Sequence, residues 1–212
     1  MYFRDRLDAG QHLAEALQEY RGQNVIVLGI PRGGVAVAHA VAQALDAELD
    51  VIIPRKLPLP FSPEAGFGAV AEDGSRVLNE RLIRLVGLSA EEVAAVAETV
   101  LAEIQRRVRV YRGERPSPVL NDRVVILVDD GLATGFTMLA GIQSVRKHSP
   151  AKIVVAVPCS PASTLEDIRP LVDDLVCLIA PDTERFAVAN YYQDFHDMGD
   201  DEVRALLAHR PD

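Results

Sequence analysis

The stretch Val125-Ile126-Leu127-Val128-Asp129-Asp130-Gly131-Leu132-Ala133-Thr134-Gly135-Phe136-Thr137 decides the reading of this chain. With Val124 it opens as a short, continuous apolar run, the pattern of a buried strand over Val124 to Val128. Two carboxylates stand where that strand ends. Gly131, Thr134, Gly135 and Thr137 follow, just where a helix is predicted from Gly135 to His148. In an open α/β sheet, ligands bind outside the carboxyl ends of the strands. Glycines let the backbone approach a ligand, and helix-start N–H groups with two hydroxyls present donors to it, which makes an anion cradle suited to a phosphate monoester. Acids beside a phosphate repel it, so they need another task. Adjacent carboxylates accept hydrogen bonds from the vicinal hydroxyls of a ribose. Asp129, Asp130, Gly131, Ala133, Thr134, Gly135, Phe136 and Thr137 together therefore describe a ribose 5-phosphate site.

Each half of this pattern is weak alone, because many α/β strands end in acids followed by a glycine turn. The competing reading of the acids as a Walker B strand requires G-x-x-x-x-G-K-[ST], which the chain lacks. The loop from Gly131 to Thr137 has no Lys, and after the first strand the glycines fall at 29, 33 and 34, which breaks G-x-G-x-x-G.

Working outward, Asp8 and Gln11 read as a capping box before a helix from about Ala9 to Tyr20. Val25 to Leu28 is a strand, Gly29-Ile30-Pro31-Arg32-Gly33-Gly34 a break, Val35 to Leu45 a helix and Leu49 to Ile53 a second strand. Pro54 to Pro63 holds four prolines and reads as loop. Phe67 to Ala71 and Arg76 to Leu78 form a predicted hairpin. Ser89 and Glu92 are a second capping box, opening a long helix to about Tyr111. Lys152 to Val157 and Asp174 to Ile179 are strands, Ser163 to Leu171 and roughly Asp200 to His209 helices. Alternating strands and helices predict an α/β fold: an open, parallel, five-stranded sheet with helices on both faces. The whole of 1–212 reads as one domain, with 58–120 inserted as a hairpin and long helix.

Composition bounds the function. The 212 residues are 49% hydrophobic with no Trp, so the core rests on aliphatic side chains, as parallel sheets do. A net charge of −9 gives no basic face for nucleic acid. The densest basic spot, Arg106, Arg107, Arg109 and Arg112, reads as a solvated helix face. Cys159 and Cys177 read as buried reduced thiols. The five scattered histidines show no metal-cage spacing, so no direct protein ligand set for a metal is expected. No membrane span or signal-peptide core is visible, and the expected home is the cytoplasm.

The thirteen-residue run resembles the phosphoribosyl pyrophosphate (PRPP) motif of type I phosphoribosyltransferases. Pro31-Arg32-Gly33-Gly34 resembles that family's pyrophosphate loop, where a non-proline cis peptide often precedes the glycine, here implying the Arg32-Gly33 bond. Arg55-Lys56 is similar to the family's basic dipeptide near pyrophosphate. The family pattern covers about residues 24–57 and 122–180. The whole chain, with Phe67-Gly68-Ala69-Val70 and Tyr191-Tyr192-Gln193-Asp194-Phe195, is similar to a group of small prokaryotic PRTase-like proteins without an assigned substrate. The resemblance implies pyrophosphate binding by Arg32, Gly33, Gly34, Arg55 and Lys56, and catalytic roles for Asp129, Asp130, Arg32 and Lys56. It implies PRPP with Mg²⁺, a small nitrogenous acceptor, and a homodimer, since the family often pairs subunits. The 6-oxopurine members carry an acid three residues after the second acid of the pair. Ala133 stands there and Phe136 replaces the family's Lys, which disfavours hypoxanthine and guanine.

Tyr191, Tyr192 and Phe195 read equally well as a base-stacking hood or as core residues covering the last strand. Two function classes stay open: a transferase moving the phosphoribosyl group to a nitrogenous acceptor with release of pyrophosphate, and a non-catalytic PRPP sensor or regulatory module. Arg32, Arg55 and Lys56 favour the enzyme, because a module needing only ribose phosphate has no use for them. A hydrolase or lyase lacks a nucleophile and general-base constellation.

Overall fold

The computed structural model describes residues 2–183 and 185–208, without the side chains at 63 and 64. In chain order the elements are α1 (Arg6–Ala16), β1 (Val25–Gly29), α2 (Gly33–Leu45), β2 (Glu48–Val51), β3 (Arg55–Leu59), β4 (Ser62–Val70), β5 (Arg76–Leu78), α3 (Glu80–Val86), α4 (Ala90–Arg112), β6 (Val124–Val128), α5 (Phe136–Arg146), β7 (Lys152–Cys159), α6 (Ala162–Ile168), β8 (Asp174–Ile179) and α7 (Asp200–Ala208).

The main sheet is five-stranded and parallel, in the order β2-β1-β6-β7-β8. Alternate residues of its strands feed two cores. Val25, Val27, Ile126, Val128 and Val154 pack under α1 and α2. Ile26, Leu28, Val125, Leu127 and Val155 pack under α5 and α6. A strand buried on both faces must be apolar throughout, which is why these strands read as unbroken runs. β1 and β6 are neighbours, and the chain leaves them in opposite directions, to β2 and to β7. That divergence opens a crevice at the carboxyl edge between the loops after β1 and β6.

Between β2 and β6 lies a separate three-stranded antiparallel sheet, β3-β4-β5, followed by α3 and α4. Val93, Ala97, Val100, Ile104 and Tyr111 form the buried stripe of α4, packing on Leu57, Leu59, Phe67 and Val70. The Ser89–Glu92 capping box is present as the sequence predicts. Among the described residues, no helix is long and apolar enough to cross a membrane.

Several expectations are corrected. The proline-rich segment after Pro54 is not all loop: Arg55–Leu59 is an edge strand. Leu57 and Leu59 are buried, and Pro58 sits at a register shift, where its missing N–H costs no ladder bond. Helix α1 starts earlier than the sequence predicts, because Asp5 caps it by accepting from the Asp8 N–H at 2.8 Å. Helix α3 is an addition to the predicted elements, capped by Asn79. The arginines of α4 are not one solvated face. The Arg112 side chain is 4% exposed and meets Asp50 and Glu72 at 3.3 and 3.1 Å. The expected end of α7 at His209 lies outside the described residues.

Candidate functional site

The acid pair stands just past the end of β6. The Asp130 N–H donates to Asp129 Oδ1 at 2.8 Å, which folds the first carboxylate back over the second residue. Asp130 Oδ2 accepts from Arg6 Nε at 2.8 Å, and both side chains are largely buried. Arg6 is itself held, donating from its terminal nitrogen to the His196 carbonyl at 2.8 Å, with its guanidinium carbon 4.0 Å from the centre of the Phe195 ring. The Tyr192 hydroxyl donates to the Asp130 carbonyl at 2.6 Å. Burial, and then the neighbouring Asp130 charge, push the Asp129 carboxyl well up. Burial also raises Asp130, opposed by the Arg6 hydrogen bond and charge. The pair is thus short of compensating positive charge, and a ligand that donates hydrogen bonds to it relieves an existing cost.

The loop from Gly131 to Thr137 lines a cavity of about 560 Å³ together with Lys56, Ala65, Gly66 and Val188. Its backbone is pinned from outside. The Leu132 N–H donates to the Cys159 carbonyl at 3.0 Å, and the Thr164 hydroxyl to the Ala133 carbonyl at 2.8 Å. Gly135 takes φ +72°, a left-handed turn that favours glycine, and caps α5. The first N–H groups of α5 therefore begin where the loop ends, with Ala133 and Thr134 exposed beside them.

A second cavity, of about 260 Å³, is lined by Pro31, Arg32, Gly33, Arg55, Lys56, Arg107, Asp129, Asp130 and Thr137 among others. Lys56 and Thr137 line both cavities, so the two are adjoining parts of one cleft. The cis peptide expected at Arg32-Gly33 is one bond earlier, at Pro31-Arg32. Gly33 and Gly34 are there for close approach. A Cβ at Gly33 would overlap Asp130 Oδ2 and lie 2.6 Å from Arg6 Nε. One at Gly34 would lie 2.8 Å from Asp129 Cα. Arg55 donates to Glu103 of α4 at 3.1 Å, and its pKa is lowered by burial and then by Arg107.

Three distant segments therefore meet at one sheet edge: Arg32–Gly34, Arg55–Lys56 and Asp129–Thr137. Tyr191 and Tyr192 do not join them. Tyr192 is 7% exposed, packs on Phe3 and has its hydroxyl engaged, so it has no ring face for a base. Tyr191 stacks on Phe186 with ring centres 5.1 Å apart and lines neither cavity. Sequence reasoning missed Arg6, Val188 and Arg107. Nothing local to Arg6 signals a partner 124 residues away. Arg107 did carry a signal: it lies at the edge of the apolar stripe of α4, between Ile104 and Tyr111.

Comparison with known proteins agrees with this geometry. A family model described as the phosphoribosyl transferase domain matches residues 4–194. The chain is 46% identical over 210 residues to "Putative phosphoribosyl transferase MT0597" of Mycobacterium tuberculosis strain CDC 1551 / Oshkosh, and equally to "Putative phosphoribosyl transferase Rv0571c" of strain ATCC 25618 / H37Rv. These matches cover 98% of this chain and 47% of each relative, so the chain spans about half the length of the curated relatives it matches. The crystal structure of TT1426 from Thermus thermophilus superposes with a TM-score of 0.80 at 39% identity, covering 98% of both chains. With its fold, its sheet-edge loops and a family match over most of its length, the chain belongs to the phosphoribosyl transferase domain family.

Proposed function

We propose that the protein transfers the 5-phosphoribosyl group of PRPP to a small nitrogenous acceptor and releases pyrophosphate. The observation that carries this reading is the joined cleft. An anion loop at a helix start lines one part of it, and cationic side chains with two carboxylates line the adjoining part. PRPP carries the matching groups, a phosphate, a diol and a pyrophosphate.

In this reading Gly131–Thr137 and the first N–H groups of α5 hold the 5-phosphate, and Thr134 and Thr137 add hydroxyl donors. Asp129 and Asp130 accept from the ribose hydroxyls. Arg32, the N–H groups at Gly33 and Gly34, Arg55 and Lys56 receive the pyrophosphate. The acceptor nitrogen forms a bond to C1 as the C1–O bond to pyrophosphate breaks. Positive charge grows on the ribose and negative charge on the leaving group. The protein's task is to fix both ends and stabilise the charge that develops, the dominant contribution in such sites. The donor set fits Mg²⁺ carried in by PRPP. Two adjacent carboxylates face the ribose position, and the described residues hold no cluster of three or more His, Cys, Asp or Glu side chains suited to a metal. When bound, Mg²⁺ would supply charge neutralisation to the pyrophosphate, and Asp129 and Asp130 would be the residues that help to hold it there. Ala133 leaves no acid at the place where 6-oxopurine members carry one, which speaks against a 6-oxopurine acceptor.

The test is pyrophosphate release from PRPP and Mg²⁺ across a panel of bases and amines, with melting temperature measured in parallel. Release with at least one acceptor is expected. No thermal shift at millimolar PRPP would remove the site assignment. A shift without release across the panel would favour a PRPP sensor.

A further inference from the structure

We propose that Arg107, on the helix inserted between β2 and β6, is a pyrophosphate-contacting residue, so that α4 supplies a wall of the reaction site. This rests on the PRPP reading above and adds a residue that no motif of the chain contains.

The argument starts from the position of Arg107 on its helix. The inward stripe of α4 runs through Val93, Ala97, Val100, Ile104 and Tyr111. Arg107 falls at its edge, and its side chain is 14% exposed, against 47% for Arg106 next to it. A guanidinium at such a place is costly without compensation. Glu103, one turn earlier, accepts from Arg107 Nε at 2.9 Å. Yet Glu103 cannot neutralise Arg107 alone. It also accepts from Arg106 at 2.7 and 2.9 Å and from Arg55 at 3.1 Å. One carboxylate thus serves three arginines, of which, among the described residues, Arg106 alone has a second acid in contact, Asp200 at 3.5 Å.

The remaining positive charge is directed at the cleft. Arg107 lines the smaller cavity, with Arg32, Gly33, Arg55 and Lys56. Four cationic side chains from three segments face one space of about 260 Å³, whose other charged lining groups among the described residues are Asp129 and Asp130. That surplus suits a polyanion with several oxygens, and a guanidinium whose Nε is fixed by Glu103 keeps its two terminal nitrogens for oxygens of the ligand. Pyrophosphate fits this demand better than the single 5-phosphate, whose loop lies across Thr137 in the other cavity. Glu103 acts as a positioning residue, fixing the fork that meets the leaving group.

Calorimetric titration with pyrophosphate, ribose 5-phosphate and PRPP, each with Mg²⁺, tests this on the full chain. Arg107→Gln should weaken pyrophosphate and PRPP about tenfold or more, the size of one charge-assisted hydrogen bond. Ribose 5-phosphate should bind as to the unaltered protein. Arg106→Gln, which removes a different partner of Glu103 outside the cleft, should leave all three affinities unchanged. Arg107→Lys should restore part of the loss, and it serves as the folded variant if the Gln protein does not fold. Normal pyrophosphate binding by the Arg107 variants overturns the proposal, as does equal loss in Arg106→Gln or equal loss of ribose 5-phosphate. Should the unaltered protein bind PRPP while the Arg107 variants match it, only this inference falls. Should the unaltered protein bind neither PRPP nor pyrophosphate, the PRPP reading falls with it.

Discussion

Gly33 and Asp129 show how tightly the cleft is built from single residues. The turn after β1 passes so close to the acid pair that a methyl group at Gly33 would displace either the Asp130 carboxylate or Arg6. We therefore expect Gly33→Ala to cut PRPP affinity by about tenfold or more, since a displaced Asp130 loses a charge-assisted contact. Calorimetric titration against inorganic phosphate separates the cases: phosphate affinity should hold, and parallel loss of both would place the damage in the fold. Asp129 carries the opposite burden. It is half-buried against a like charge, and desolvation and then Asp130 push its carboxyl upward. Its ionised form costs stability at neutral pH, a cost that ligand binding relieves. Asp129→Asn keeps an oxygen to accept from the Asp130 N–H and removes the charge. The variant should melt at higher temperature than the unaltered protein without ligand, yet gain less from PRPP. A lower melting temperature in the absence of ligand would show that the carboxylate is a structural partner.

Elements differ in how openly the sequence declares them. The three inner strands β1, β6 and β7 are legible because burial on both faces requires unbroken apolar runs. The loop after β6 is legible because its glycines, hydroxyls and acids follow one another along the chain. β3 is hidden by Pro58, since the rule against proline in strands relaxes at an irregular edge. The arginines of α4 are hidden because their partners are remote: Asp50 and Glu72 lie 62 and 40 residues from Arg112. That network fastens the end of α4 to β2, with Arg112 also donating to the Val51 carbonyl at 2.6 Å. Arg112→Met would leave two carboxylates without their cation in a mostly buried place. It should cost about 3–5 kcal/mol, as loss of one partner of a buried ion pair does. Urea unfolding measures it, and a loss under about 1 kcal/mol would mean that water reaches the carboxylates freely.

Over the whole molecule, the segment before α1 and the segment between β8 and α7 meet beside the acid pair. Phe3 N–H donates to the Tyr191 carbonyl, and Gln193 N–H to the Phe3 carbonyl, both at 2.8 Å. Arg6 then spans from Asp130 to the His196 carbonyl. The segment after Phe195 is held by His196, whose ring lies 3.1 Å from both Asp194 and Glu202. Hydrogen bonds to Glu202 and then Asp194 raise the pKa of this imidazole above its ordinary 6.5. Desolvation opposes protonation here, and Arg6, on α1, is the facing cation, whose charge instead favours the ionised forms of Asp194 and Glu202. A histidine whose folded pKa is raised adds stability that is complete below the unfolded value and fades as pH climbs through the folded one. The ring is exposed, so the effect is local and does not reach global unfolding. Amide exchange, corrected for intrinsic rates, should therefore show the His196 and Gly199 amides losing protection as pH rises from about 6.5 through the raised value, because these donate to Asp194 and Glu202. The Phe3 and Gln193 amides, which rest on backbone carbonyls, should keep theirs. His196→Gln should flatten the profile at the low protection seen at high pH. A wild-type profile that is flat over this range would mean that Asp194 and Glu202 hold the segment without the imidazole charge.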